Sequence, residues 1–458
     1  MPQDTERTPQ DDYKKLIRAV HVYQREVTHI VEDGAMFDGL RVHFQGPKLH
    51  ALLYRPISDA KTLATRAVLL QLVLKDFVGA VFNPAFPGYE LIVAGGADLG
   101  DVIGTRNGTH GDRELLFLGR PANHAAKIIS SSGKLRLTAN LYDCLPDDLQ
   151  DICYAVDGED DVYQIEQVSQ SRLADLLDTY GVTWNREGSA QRMHEDRLRV
   201  PLKDITYSSA DVKIKLDDLS IRNNKRVLGA SLFADVTGFT AYIDAAEDQD
   251  ERSEALRVFH AIRKEMATII KEDFDGVRVQ FQGDRAQGLF HLPKDDDTAI
   301  ATTAVEAAVG LQSSMEHTLK ACLPAAAGLR LAVGVDMDTT LASKLGTRGQ
   351  RDRICLGDPV ECAAANEERI GGGQIGVSKR VYDALPNRLR SHFLYDSAAR
   401  CYVATDLTAD KVERAAKASS VYGAGKPVFL TPSQGGVVVG ATEVAGAREI
   451  SPSRPYAS

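Results

Sequence analysis

Two aspartates stand out by their setting. Asp235 lies in SLFADVTGFT, where an apolar run gives way to a turn and a helix start. Asp284 ends VRVQFQGD, at the turn of an alternating hairpin. A carboxylate at a strand end reaches into a cleft, and the amides of Gly238, Phe239 and Thr240 at a helix start can hold phosphate oxygens. The Val236 carbonyl adds a hard oxygen ligand. Phe233, two residues before Asp235, joins these nucleotide-binding candidates. If the hairpin lies beside the first strand, Asp284 approaches Asp235. Two carboxylates with triphosphate oxygens then hold two divalent cations, Mg2+ or Mn2+. Each aspartate also has a plainer use, Asp235 as a helix cap and Asp284 as a turn former.

The elements that must position them occur twice. Residues 40–56, LRVHFQGPKLHALLYRP, match 277–293, VRVQFQGDRAQGLFHLP. GYELIVAGGADLG and HGDRELLFLGRP within 88–121 match GLRLAVGVDMD and RGQRDRICLGDP within 328–359, and LYDCLPDDLQ (141–150) matches VYDALPNRLR (381–390). The copies lie about 240 residues apart throughout, so one domain is written twice. The first copy keeps the hairpin but has Pro47 where Asp284 stands, so the turn does not require an aspartate.

Each copy reads as a helix (12–31; 251–271), a hairpin, a second helix (about 60–76; about 298–320), an apolar strand (91–93; 329–335), a helix opening at Gly119 or Gly357, and a short final strand. This alternation predicts an α+β fold of two tandem ferredoxin-like domains. The second copy alone has an extra leading strand, 227–236. The domains expected are 1–180, lacking metal aspartates, and 226–418, which binds metal. A polar linker at 181–225 joins them, and a Gly-, Ala-, Ser- and Pro-rich tail at 419–458 is expected to be partly disordered.

At 458 residues, 43% hydrophobic and 26% charged, the composition is that of a globular protein. No apolar run approaches a membrane span, the N-terminal stretch has no apolar h-region, and six cysteines are scattered without a CxxC pair. The expectation is a cytoplasmic protein that engages no membrane. A net charge of −10 without a basic run argues against nucleic acid as partner. An anionic substrate would need local cations, which metals supply.

The order FADVTGFT, FQGD, LGDPVECAA and GGGQIGVSKRVYDAL resembles the class III nucleotidyl cyclases. The resemblance implies that Asp235 and Asp284 bind both metals. It also implies a helix, opening after Gly-Asp, that carries Asn and, four residues on, Arg to hold the ribose and the α-phosphate. The second copy has Glu361 and Ala365 there, whereas the first, GRPANHAAK, has Asn123 and Lys127. Two half-sites would make one if the copies face each other, which predicts an intrachain pseudo-heterodimer with Asn123 and Lys127 as catalytic residues. An ordinary polar helix face is the alternative for that pair. The base-reading positions fall on His43 and Leu116, neither the adenine nor the guanine type of pair. His43 either donates to a pyrimidine carbonyl or sits on a hairpin face. Arg330 either reaches the phosphates or is a surface strand residue.

The whole-chain layout resembles the long uridylate cyclases of Pycsar antiphage systems. That implies UTP as substrate, cyclic UMP and pyrophosphate as products, and functional coupling to a cyclic-nucleotide-binding effector. The expected assembly is a monomer with a pseudo-dimeric core, or a homodimer. The alternatives are a cytidylate or purine cyclase with the same site, and an inactive nucleotide-binding pseudo-cyclase. A two-metal palm enzyme is a third, against which the missing GGDEF-like turn counts.

Overall fold

A computed structural model describes residues 9–107, 114–130, 133–246 and 249–420. The tail beyond residue 420 lies outside the described residues, so its expected disorder is not addressed. The first unit runs α1 (Pro9–Glu32), β1 (Leu40–Gln45), β2 (Lys48–Leu52), α2 (Ala60–Phe77), β3 (Gly95–Ala97), β4 (Ile103–Asn107), β5 (Glu114–Leu118), α3 (Arg120–Lys127), β6 (Leu135–Thr138), β7 (Cys153–Ala155) and β8 (Val162–Ile165). Helices α4 (Gln170–Thr179) and α5 (Arg186–Arg199) and strand β9 (Thr206–Ser208) lead to the second unit. That unit comprises β10 (Asn223–Thr237), α6 (Phe239–Asp244), α7 (Gln249–Thr268), β11 (Val277–Gln282), β12 (Arg285–Phe290), α8 (Asp297–Ser313), β13 (Arg330–Leu345), β14 (Asp352–Leu356), α9 (Asp358–Glu368), β15 (Gln374–Val377), β16 (Leu394–Asp396) and β17 (Cys401–Thr405).

The extra strand decides how the two sheets differ. β10 sits at the centre of a sheet ordered β11-β12-β10-β13-β15-β17-β16, antiparallel along that path except where β13 runs parallel to β15, and β9 adds to β10 in parallel. Its even-numbered residues Leu232, Ala234 and Val236 join Phe259, Ile262, Ile300 and Ala304 in the core under α7 and α8. Among the described residues the first unit has no such strand, and its hairpin β1–β2 is separate from the sheet β3-β6-β8-β7. Its core is carried by helices instead, with Val27, Ile30, Val68, Leu69, Val73 and Phe77 fully buried. The expected strand at 91–93 is displaced to Gly95–Ala97. The Asn83 side-chain amide takes both backbone groups of Leu91, at 2.9 and 3.0 Å, so no neighbouring strand can.

The stretch 60–85 is long and apolar enough by composition to cross a membrane. Here it packs inside the first unit, and its buried side includes Val68, Leu69 and Phe77.

Residues 181–225, polar in composition and read as a linker, are folded onto both units. Arg192 grips the buried Glu26 of α1 at 2.7 and 2.9 Å, Arg25 meets Asp196 at 2.7 Å, and Trp184 and Met193 enter the first core. Farther on, Ile214, Leu216 and Leu219 cover the second sheet beside Val227 and Val279. The acidic partners Glu26 and Asp196 are buried in these ion pairs, which a hydrophobicity pattern does not register.

The units clasp each other reciprocally. Leu116 and Leu118 of β5 join the second core, while Ile17 and Val20 of α1 pack on Leu341, Leu345 and Ile354 of β13–β14. The repeat makes these equivalent contacts, because β5 and β14 are the same strand of the two copies. The arrangement is a pseudo-twofold within one chain.

Candidate active site

Asp235 and Asp284 come together because β12 pairs with β10. Ala234 faces Ala286 across the ladder, so the carboxylate one residue beyond Ala234 lies at the same sheet end as the turn holding Asp284. Gly283 turns that hairpin at φ 67°. Burial raises the Asp284 carboxyl well above its ordinary range, and the neighbouring charge of Asp235 pushes it further. Asp235 is raised as well, mainly by burial, with Arg285 opposing. Two desolvated, mutually repelling hard-oxygen donors are the donor set a divalent cation relieves. Among the described residues no group of three or more His, Cys, Asp or Glu side chains is placed to hold a metal. The pair would therefore need backbone and substrate oxygens to complete a cation's shell.

The chain then turns at Gly238, exposed and at φ 91°, a left-handed backbone that favours glycine. Amides in the first turn of α6 have no partner within their helix. Phe239 contributes only its backbone, since its ring is buried and stacks on Phe259 at 4.5 Å. Thr240 is half-buried, and the Val236 side chain is in the core. Phe233 is also buried, and its ring lies 4.4 Å from the Arg285 guanidinium. Arg330 pairs with Thr237 across the β10–β13 ladder, close to this loop, and its guanidinium is bound by Asp406.

Sequence reasoning missed the Arg285 cluster. Arg285, next to Asp284, bonds Glu367 at 2.7 Å, Glu368 at 3.4 Å and the Ala364 carbonyl at 3.1 Å, all on α9. Burial raises the Glu367 carboxyl to about 8 against the pull of Arg285. Nothing in the local sequence marks these residues, because the contact joins strand and helix 79 to 83 positions apart. Glu361 is exposed on the same helix.

From the first unit, α3 presents Asn123 half-buried and Lys127 exposed, and α3 packs against α6. The glycine opening α3 is obligatory. Gly119 has φ 140°, and a Cβ there would fall 2.7 Å from the Asp101 carbonyl oxygen. Asp98, also unsuspected from sequence, anchors the helix through His124 at 3.1 Å and the Thr138 hydroxyl at 2.5 Å. His43 reaches the second unit's electrostatic neighbourhood. Burial first, then His50, Arg41 and the other unit's Arg263, push its pKa down to about 3, so the ring is neutral. Leu116 is buried and offers no polar group.

This combination defines a class. Residues 228–413 match the family described as adenylate and guanylate cyclase catalytic domain, and the second unit is a class III nucleotidyl cyclase domain. The chain is 27% identical over 397 residues to a uridylate cyclase of Pseudomonas aeruginosa, covering 83% of this chain and 74% of that one. It is 26% identical over 397 residues to a uridylate cyclase of a Rhizobium species, covering 81% and 73%. Among solved structures, a class III adenylyl cyclase-like ATP-binding protein from Pseudomonas aeruginosa superposes with TM-score 0.73 and 24% identity over 90% of this chain and 86% of that one. That match shows that the two-unit fold is shared.

Proposed function

We propose that the protein is a nucleotidyl cyclase that closes UTP into 3′,5′-cyclic UMP and releases pyrophosphate. What supports the activity is the meeting of Asp235 and Asp284 at one sheet end, with the Asn123–Lys127 helix of the other unit against the helix that follows. What supports the base is the likeness to two uridylate cyclases along most of the chain.

Two divalent cations, held by Asp235, Asp284 and the Val236 carbonyl, would acidify the ribose 3′-hydroxyl and screen the triphosphate. The chain's own groups place the substrate. The loop amides of 238–240 hold phosphate oxygens, with Arg330 as a further cation beside them. Asn123 orients the ribose. Lys127 offsets the negative charge that gathers on the α-phosphate as the 3′-oxygen bonds to phosphorus and pyrophosphate departs. Lys is a point charge without the two-pronged fork of Arg, so this step is slower than an Arg would allow. Neutral His43 has one ring N–H to give a pyrimidine carbonyl, beside apolar Leu116.

On this reading the product is a cytoplasmic signal to a cyclic-nucleotide-binding effector in antiviral defence. The test is incubation with Mn2+ and each of ATP, GTP, CTP and UTP, with product mass as readout. Cyclic UMP is expected, lost in Asp235→Ala and Asp284→Ala. Another cyclic mononucleotide in its place overturns the base assignment. No cyclic product from any triphosphate, with nucleotide binding intact, overturns the activity in favour of a binding protein.

A further inference from the structure

The two interface carboxylates related by the pseudo-twofold are used differently. Asp352 of β14 binds Arg41 of the first unit's hairpin. Glu114 of β5, at the equivalent position, binds the equivalent Arg278 at 2.5 Å. Both carboxylates also take the backbone amide of the matching phenylalanine, Phe44 on Asp352 and Phe281 on Glu114 at 3.1 Å, and Glu114 takes one donor more, Arg263 Nη2 of α7 at 2.8 Å. Phe281 lies three residues before Asp284, on the strand that leads into its turn.

Arg263 has no counterpart in the first unit. Gly276 donates to the Ile270 carbonyl as Gly39 does to that of Val31, which aligns the two helices. Seven residues upstream, Arg263 then corresponds to Gln24. So the unit with Asp284 has an added guanidinium, and the unit with Pro47 has an amide. Arg263 is 3% exposed, and its Nε and Nη1 have no hydrogen-bond partner among the described residues. It stacks 4.1 Å from the Phe281 ring and lies near enough to Asp284 to act on its charge. Removing one partner of a buried ion pair leaves the other charge uncompensated, and Asp284 is the second carboxylate that acts on Arg263.

We propose that Glu114 is a positioning residue for the metal site. By neutralising Arg263 from across the unit interface and holding the Phe281 amide, it keeps Asp284 available to a divalent cation. Metal binding in the second unit thus depends on a carboxylate of the first. This rests on the assignment of Asp235 and Asp284 as metal ligands.

The test measures Mn2+ affinity of the full chain by electron paramagnetic resonance, with UTP analogues that cannot cyclise. Glu114→Gln is expected to weaken Mn2+ binding roughly 10–100-fold, the range for partners that orient metal ligands. Asp352→Asn, which removes the equivalent carboxylate where there is no metal aspartate, leaves the affinity unchanged. Adding Arg263→Gln to Glu114→Gln copies the first unit's Gln24 and restores affinity, which loss of folding would not. Unchanged Mn2+ affinity in Glu114→Gln overturns the inference, as does equal weakening in Asp352→Asn or failure of the second substitution to rescue. Absence of Mn2+ binding in the unsubstituted protein instead overturns the ligand assignment beneath it.

Discussion

Acidification should loosen the clasp between the units through one histidine. His21 of α1 is 5% exposed, and its Nδ1 accepts from the Gly346 amide of the second unit at 3.3 Å. Burial first, then Arg25 and Arg351, push its pKa down from 6.5 to about 4, against Asp196. The folded state therefore prefers the neutral ring. Its contribution is whole above the unfolded value of 6.5 and is lost as pH falls towards 4. Proton linkage between those values gives a loss of about 2 kcal/mol at pH 5 and very little at pH 7. Urea unfolding of the wild type and of His21→Gln at both pH values isolates the effect. Glutamine keeps an acceptor for Gly346 but does not titrate. The wild type should lose about 2 kcal/mol more than the variant on going from pH 7 to 5. Parallel losses in the two proteins would refute the reasoning, since they would show that the ring titrates alike folded and unfolded.

The other expectations concern the site. Arg285→Met removes the cation that opposes burial at Glu367 and should raise that carboxyl further above its present value of about 8, read by carboxyl NMR as a later titration step that Glu367→Gln abolishes. Asn123→Ala and Lys127→Ala should each lower kcat about 10²-fold, whereas Glu361→Ala should leave initial rates nearly unchanged. Lys127→Arg should raise kcat, because the planar fork offers two donors to the α-phosphate. A fall in rate with Glu361→Ala alone would place the transition-state groups on the wrong unit.

The repeat made much of this legible before any coordinates. One domain written twice supplied an internal comparison, in which Pro47 against Asp284 separates chemistry from turn formation. It also supplied a complementary pattern, in which Asn123 and Lys127 stand in one copy where Glu361 and Ala365 stand in the other. Periodicity gave the helices and hairpins, because apolar spacing reports directly which face a segment must bury. It failed at 91–93, where a side-chain amide satisfies the backbone instead of a strand, and at 181–225, where scattered apolar residues and ion pairs together dock a polar stretch.

What the sequence by itself determined is the inventory: two copies, one leading strand in excess, two aspartates in one copy and an Asn–Lys pair in the other. Each of these is a local pattern or a comparison of like segments, and needs no knowledge of what lies across space. The tertiary structure alone decided what surrounds those groups. It placed Arg285 on Glu367 and the Ala364 carbonyl of α9, close enough to act on Asp235, and it set Glu114 of one unit on Arg263 of the other. It also pressed α1 into the far unit's hairpin. These are contacts between residues from 79 to 325 positions apart. Their strength depends on burial that only the assembled fold creates.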